Sequence, residues 1–158
     1  CVEKGYYVSW MPSYGPEMRG GTCNCRIVIS DEAVINPIFS SPNAALFMNE
    51  DSAVKYEAAV KDGGIILSNA SLVRKERIQN KKCQIREIEA TEIAKELGNV
   101  AMANIVMMGK LIREVDFLTL EDLNNSMTKK FKGAIGELNQ KALRRGFGEE
   151  QTEGEETR

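Results

Sequence analysis

The segment AALFMNEDSAVKYEAAVKDGGIILSN, residues 44–69, contains two short apolar runs separated by a helical pattern. The runs Ala44–Met48 and Gly64–Leu67 both end in polar residues, which is typical of strands covered on both faces. Residues 50–60 carry apolar side chains at helical spacing, and Gly63-Gly64 supplies a helix end. The segment therefore predicts a strand–helix–strand unit of an α/β domain.

The same pattern continues toward the C-terminus. Residues 83–88 alternate like a strand, and Thr91 is predicted to cap a helix that reaches Leu97. Three further helices are predicted at residues 103–115, 119–131 and 134–145, with Gly146 as the end of the last. We expect a three-layer α/β/α fold with a mostly parallel or mixed sheet and additional C-terminal helices.

The N-terminal third predicts two strands joined by a loop. Residues 4–10 are β-rich, residues 12–21 are rich in glycine and proline, and residues 22–30 alternate like a strand. We predict a single domain over residues 1–148 and a disordered acidic tail over residues 149–158. Because a strand begins almost at Cys1, we also expect further residues upstream.

Composition excludes several function classes. The net charge of −2 provides no field for nucleic acid or an anionic membrane. No run approaches the roughly 18 apolar residues of a membrane span, and no signal peptide is evident, so we expect a cytoplasmic protein. The sequence has no histidine, and its four cysteines lack zinc-site or disulfide-scaffold spacing. We therefore predict no catalytic residue and no metal site in this chain, with Cys23 and Cys25 as buried free thiols.

Two groups of residues are candidates for contact with a ligand or partner. The first is the glycine-rich loop, in which glycine lets the backbone approach a neighbour closely; its members are Ser13, Tyr14, Gly15, Pro16, Glu17, Arg19, Gly20, Gly21 and Thr22. The second lies where parallel strands end, the usual ligand edge of open α/β sheets; its members are Asn49, Ser68 and Asn69. A tight turn and ordinary capping are the structural alternatives.

Residues 74–86 contain the one basic cluster of the chain. It favours a solvated linker, with attraction of an acidic partner protein as the alternative. Its members are Arg74, Lys75, Arg77, Lys81, Lys82 and Arg86.

The motif SYGPEMRGGT (13–22) and the strand TCNCRIVISDE (22–32) resemble the gamma subunit of 2-oxoacid:ferredoxin oxidoreductases, especially the 2-oxoglutarate type. The resemblance extends through residues 42–73 to the helices ending near Leu143. It implies a non-autonomous subunit of an enzyme that converts a 2-oxoacid and coenzyme A to acyl-CoA and CO2 and passes electrons to ferredoxin. Family members usually open with a turn of the type GFGGQG, which would lie upstream of Cys1.

The resemblance also implies where the cofactors are. Thiamine diphosphate, Mg²⁺ and iron–sulfur clusters would be bound by partner subunits and coenzyme A would be a cosubstrate, with no cofactor held by this chain alone. The loop Ser13–Thr22 would pack near the shared cleft, where Arg19 would pair with a carboxylate or phosphate, or would form only a subunit interface.

Alternatives remain open for the substrate and for the class of function. Met18 in GPEMRGGT favours 2-oxoglutarate, whereas pyruvate-type relatives more often read GPERRGAP, and branched-chain 2-oxoacids are a further possibility. A stand-alone module that binds coenzyme A or a nucleotide is the alternative class. It lacks support because the glycines do not follow G-x-G-x-x-G or P-loop spacing.

Overall fold

The computed structural model describes residues 1–13 and 23–149. The chain divides into two compact units, one spanning Cys1–Pro42 and one beginning at Asn43. The prediction of a single domain over residues 1–148 stays a prediction. The predicted tail, apart from Glu149, lies outside the described residues.

Within the described part of the chain, every helix is too short or too polar to cross a lipid bilayer.

The first unit is built on a two-stranded antiparallel ribbon. Strand β1 (Tyr7–Ser13) pairs with β2 (Asn24–Ser30) along its whole length. The sequence predicts a strand over residues 4–10 and a loop from residue 12, but Pro12 lies within β1, opposite Cys25. A ribbon leaves one edge of each strand unpaired, so a residue without an N–H is tolerated there.

The second unit contains a three-stranded parallel sheet. Its strands are β3 (Ala44–Phe47), β4 (Ile65–Asn69) and β5 (Gln84–Ile88), in the spatial order β3-β4-β5. Helix α1 (Glu50–Tyr56), extended by a 3₁₀ turn, connects the first two strands. The predicted strand–helix–strand unit is therefore confirmed.

Both faces of this sheet are covered, which confirms the predicted α/β/α layering. Neighbouring residues of a strand point to opposite faces, and Ile66 and Leu67 are both fully buried, each in a different apolar cluster. Ile66 packs with Ala53 of α1, whereas Leu67 packs with residues of helices from the C-terminal part of the chain. Burial of each such side chain contributes about 1.5–3 kcal/mol.

Four helices follow β5: α2 (Ala90–Glu96), α3 (Ala103–Arg113), α4 (Leu120–Lys130) and α5 (Gly133–Phe147). The segment TLED, residues 119–122, predicts a capping box at the start of α4. The box is present, because the Asp122 amide donates to Thr119 Oγ1 at 3.2 Å and the Thr119 amide donates to Asp122 Oδ2 at 2.9 Å. The predicted cap of α2 is wrong. Its N-cap is Glu89, and Thr91 lies inside the helix.

Helices α3 and α5 pack closely against each other at Gly109 and Gly146. A methyl group on Gly109 would overlap the carbonyl oxygen of Leu143, and one on Gly146 would overlap the carbonyl oxygen of Val106. The prediction that Gly146 ends the helix is therefore wrong. The helix continues to Phe147 and ends at Gly148, whose φ is +97°.

Candidate functional site

The predicted strand-end residues lie at one edge of the parallel sheet. Ser68 and Asn69 end β4, Asn49 follows β3, and the register pairs Ser68 with Phe47 on one side and with Glu87 on the other. Parallel strands bring their carboxyl ends together, which is why residues distant in sequence become neighbours here. The structure thus places this predicted group at the expected edge.

Asn69 is fully buried and ties together the ends of all three strands. Its Nδ2 donates to Thr91 Oγ1 at 2.9 Å and to the Met48 carbonyl at 3.5 Å, while its Oδ1 accepts from the Thr91 amide at 3.3 Å. Met48 follows β3 and Thr91 follows β5, so a single amide joins the three strand exits. Because both amide protons are engaged, the side chain acts here as a structural connector.

The other two members of this group differ in exposure. Asn49 is exposed, and its Oδ1 accepts from the Ser52 amide at 2.9 Å as the N-cap of α1. Ser68 is fully buried, and its hydroxyl has no hydrogen-bond partner among the residues that the structure describes. Asn49 therefore caps α1, while the role of these three residues as a ligand edge stays a prediction.

An ion-pair cluster anchors the first turn of α1. Arg74 donates to Glu50 from Nε at 3.0 Å and from a terminal nitrogen at 2.8 Å, and Arg77 Nε lies 3.2 Å from Glu50. The hydrogen bonds from Arg74, opposed by partial burial, lower the pKa of Glu50 to about 2. Glu50 is therefore a fixed anion at neutral pH and no candidate for proton transfer.

The basic cluster is largely neutralised within the chain. Five of its six members form ion pairs, namely Arg74–Glu50, Arg77–Glu50, Lys75–Glu87, Lys82–Asp62 and Arg86–Glu114. Glu114 also contacts Lys110 at 2.8 Å. Although burial opposes its ionisation, the two cations lower the pKa of Glu114. The geometry therefore favours a structural role for these residues over capture of an acidic partner.

The glycine-rich loop is described only at its first residue. Ser13 is exposed, ends β1 and lies opposite Asn24 at the start of β2. The other loop candidates (Tyr14, Gly15, Pro16, Glu17, Arg19, Gly20, Gly21 and Thr22) lie outside the described residues. Their predicted contact with a ligand or partner stays a prediction.

The cysteines do not assemble into a metal or redox centre in the described part of the chain. Cys23 and Cys25 are exposed, so the prediction that they are buried is wrong. Burial raises the pKa of the Cys83 thiol, which donates to the Lys61 carbonyl at 3.4 Å. Among the described residues, no group of three or more Cys, Asp or Glu side chains could hold a metal ion. These residues therefore do not fit an iron–sulfur cluster or a Mg²⁺ site.

A surface depression of about 370 Å³ lies at the opposite end of the sheet from Asn69 and is lined by residues from 57–62 and 79–82. The Glu57 carboxylate in its wall accepts from the amides of Gln79 and Asn80, at 2.7 and 3.1 Å, and Lys82 pairs with Asp62. Lys82 is the only cation among the lining residues, and its pairing with Asp62 leaves no unpaired positive charge there for the phosphates of coenzyme A or a nucleotide. The depression therefore gives no support to a stand-alone binding module.

The chain is similar to subunits of known enzymes that act on 2-oxoacids. Residues 1–149 match the family model described as pyruvate ferredoxin/flavodoxin oxidoreductase. Ketoisovalerate oxidoreductase subunit VorA of Methanothermobacter marburgensis is 34% identical over 92% of this chain, which spans only 30% of that relative. The 2-oxoglutarate synthase subunit KorC of Methanocaldococcus jannaschii is 30% identical over 85% of this chain and 73% of the relative.

A solved structure has the same fold. The gamma subunit of a keto/oxoacid ferredoxin oxidoreductase from Geobacter sulfurreducens superposes with a TM-score of 0.77 at 28% identity. The match covers 94% of this chain and 82% of that subunit.

Proposed function

We propose that this chain, which belongs to the pyruvate ferredoxin/flavodoxin oxidoreductase family, is the gamma subunit of a 2-oxoacid:ferredoxin oxidoreductase. The observation that carries the proposal is the match over residues 1–149, together with the structural similarity to a gamma subunit. The enzyme would cleave CO2 from a 2-oxoacid, join the remaining acyl group to the sulfur of coenzyme A, and transfer two electrons to ferredoxin.

The chain's own contribution would be to complete the assembly. Its described residues include no histidine and no metal-binding cluster, and Asn69, Glu50 and Glu114 are occupied by internal hydrogen bonds or ion pairs. We therefore assign thiamine diphosphate, Mg²⁺ and the iron–sulfur clusters to the other subunits, which supply the carbanion and electron-transfer chemistry when these groups are bound. A cytoplasmic location of the complex is part of the same proposal.

For the substrate we propose 2-oxoglutarate. The support is the motif GPEMRGGT, residues 15–22, and the similarity to a 2-oxoglutarate synthase subunit. The similarity to a ketoisovalerate oxidoreductase subunit makes branched-chain 2-oxoacids the second candidate, and the family description makes pyruvate the third.

The test is anaerobic purification of the tagged chain from its native host. We expect thiamine diphosphate-binding and iron–sulfur subunits to co-purify, and the eluate to reduce a viologen dye only when both coenzyme A and a 2-oxoacid are present. Parallel assays with 2-oxoglutarate, pyruvate and 2-oxoisovalerate identify the substrate. Activity that is highest with another oxoacid would reject 2-oxoglutarate but keep the enzyme class, whereas a chain recovered alone would reject the proposal.

A further inference from the structure

One face of the β1–β2 ribbon is entirely uncharged. Residues directly opposite each other in an antiparallel pair lie on the same face. The register places on this face the pairs Val8–Ile29, Trp10–Ile27 and Pro12–Cys25. We refer to these six residues as the apolar ribbon face.

Four of the six members of the apolar ribbon face are exposed, while Pro12 and Ile29 are half-buried. The side chain of Trp10 is 63% exposed and that of Ile27 is 53% exposed. The opposite face carries the charge of the ribbon, because Arg26 lies there with its guanidinium 5.9 Å from the centre of the Phe39 ring. An antiparallel sheet usually packs its apolar face against a core, whereas this ribbon leaves Trp10 and Ile27 on its apolar face exposed.

The ribbon also lacks a core of its own. None of the described residues in 1–13 and 23–42 is buried. An isolated two-stranded ribbon is marginally stable at best in water, and independent stability needs a covered apolar face. Contiguous exposed apolar surface with a central aromatic residue is typical of a protein–protein contact.

We propose that another subunit of the same oxidoreductase covers the apolar ribbon face; this inference rests on the proposed function. The partner surface would itself be apolar and uncharged, as in permanent interfaces, which resemble a divided hydrophobic core. A transient contact with ferredoxin would instead use complementary charge, and this face has none. The ketoisovalerate relative supports a permanent neighbour, because the matched region occupies 30% of that longer chain.

The first test is oxidation of Trp10 by hydroxyl radicals, measured by mass spectrometry on the isolated chain and on the assembled enzyme. Trp10 is the sole tryptophan of the chain, so its oxidation is assigned without ambiguity. We expect it to react readily in the isolated chain and at least about fivefold more slowly in the assembly, because the interface core excludes water. Equal oxidation in the two states would overturn the proposal.

The second test compares Ile27→Glu with Ile135→Glu. Ile135 is 62% exposed on α5, so it matches Ile27 in residue type and approximate exposure but lies off the ribbon. An unpaired charge in an apolar interface costs several kcal/mol, so we expect Ile27→Glu to lower recovery of the thiamine diphosphate-binding and iron–sulfur subunits by about tenfold or more. Ile135→Glu should leave recovery unchanged.

The outcomes separate this inference from the function on which it rests. If the unsubstituted chain recovers both partner subunits but Ile27→Glu recovers them equally well, the inference fails and the proposed function stands. If the unsubstituted chain recovers neither subunit, the proposed function fails. If sedimentation shows a dimer of the isolated chain in which Trp10 is already protected, the occupant is a second copy, and our proposal is wrong.

Discussion

Asn69 and Thr91 are joined by two hydrogen bonds, from Asn69 Nδ2 to Thr91 Oγ1 at 2.9 Å and from the Thr91 amide to Asn69 Oδ1 at 3.3 Å. The pair connects the end of β4 to the first turn of α2. Asn69 is fully buried and Thr91 is 8% exposed, so water cannot replace these bonds easily.

We predict that Asn69→Ala destabilises the protein by about 2–4 kcal/mol, because it leaves the Thr91 amide buried without its acceptor and removes the link to Met48. Asn49→Ala is the matched control. It removes an exposed helix cap and should cost about 1 kcal/mol. Urea unfolding followed by circular dichroism measures both, and equal losses would show that Asn69 is not a central connector.

We predict that Gly146→Ala lowers the free energy of unfolding by about 1–3 kcal/mol, although alanine normally favours a helix over glycine. The added methyl group would overlap the Val106 carbonyl and push α3 and α5 apart. Lys141→Ala, at an exposed position of the same helix, should change stability by less than about 0.5 kcal/mol. A stabilised Gly146→Ala protein would contradict the close packing of these helices.

The pKa of Glu50 predicts an acid-dependent contribution to stability. Its folded-state pKa of about 2 lies below the ordinary value of 4.5, so the ionised form favours the folded state. The contribution is fully present above the unfolded pKa and is lost as the pH falls from there toward 2. The stability difference between the unsubstituted protein and Glu50→Gln should therefore be largest near neutral pH and shrink in acid.

The control for this pH series is Asp51→Asn in the same turn of α1. Asp51 is exposed and forms no ion pair among the described residues. Urea titrations at several pH values between 3 and 7 should show a much smaller pH-dependent difference for this variant. If the stability difference between the unsubstituted protein and Glu50→Gln is constant over this pH range, the ion pair with Arg74 is not the source of the pH dependence.

The isolated chain should bind neither coenzyme A nor ATP. In the surface depression between residues 57–62 and 79–82, Lys82 is already paired with Asp62, and the glycines of the chain lack phosphate-loop spacing. Calorimetric titration with each ligand at millimolar concentration should release no binding heat above dilution. Saturable binding by the chain alone would favour the stand-alone module.

The central strand–helix–strand unit was predictable because its signals are local. The apolar runs at Ala44–Met48 and Gly64–Leu67 and the asparagine cap at residue 49 all lie within one segment. The capping box at Thr119 and Asp122 was predictable for the same reason, since its two partners are three residues apart.

The incorrect predictions involve contacts that a single sequence does not display. Thr91 resembles a helix cap locally, yet its partner Asn69 is 22 residues away. Gly146 resembles a helix end, although its lack of a side chain serves close packing against Val106 in α3.

The apolar ribbon face could have been found from the sequence. Val8 and Trp10 alternate on one strand, and Ile27 and Ile29 alternate on the other, so both strands offer an apolar side. The pattern does not reveal whether that side faces the chain's own core or solvent. The exposure of Trp10 and Ile27 makes this face a candidate contact surface.

The most direct test of the account is an omission experiment on the assembled enzyme. The partner subunits would be expressed anaerobically with and without this chain, and coenzyme A-dependent dye reduction with 2-oxoglutarate would be measured in each preparation. We expect activity only when the chain is present, and recovery of activity when it is co-expressed from a second plasmid. Full activity in its absence would contradict the assignment of this chain as a required gamma subunit.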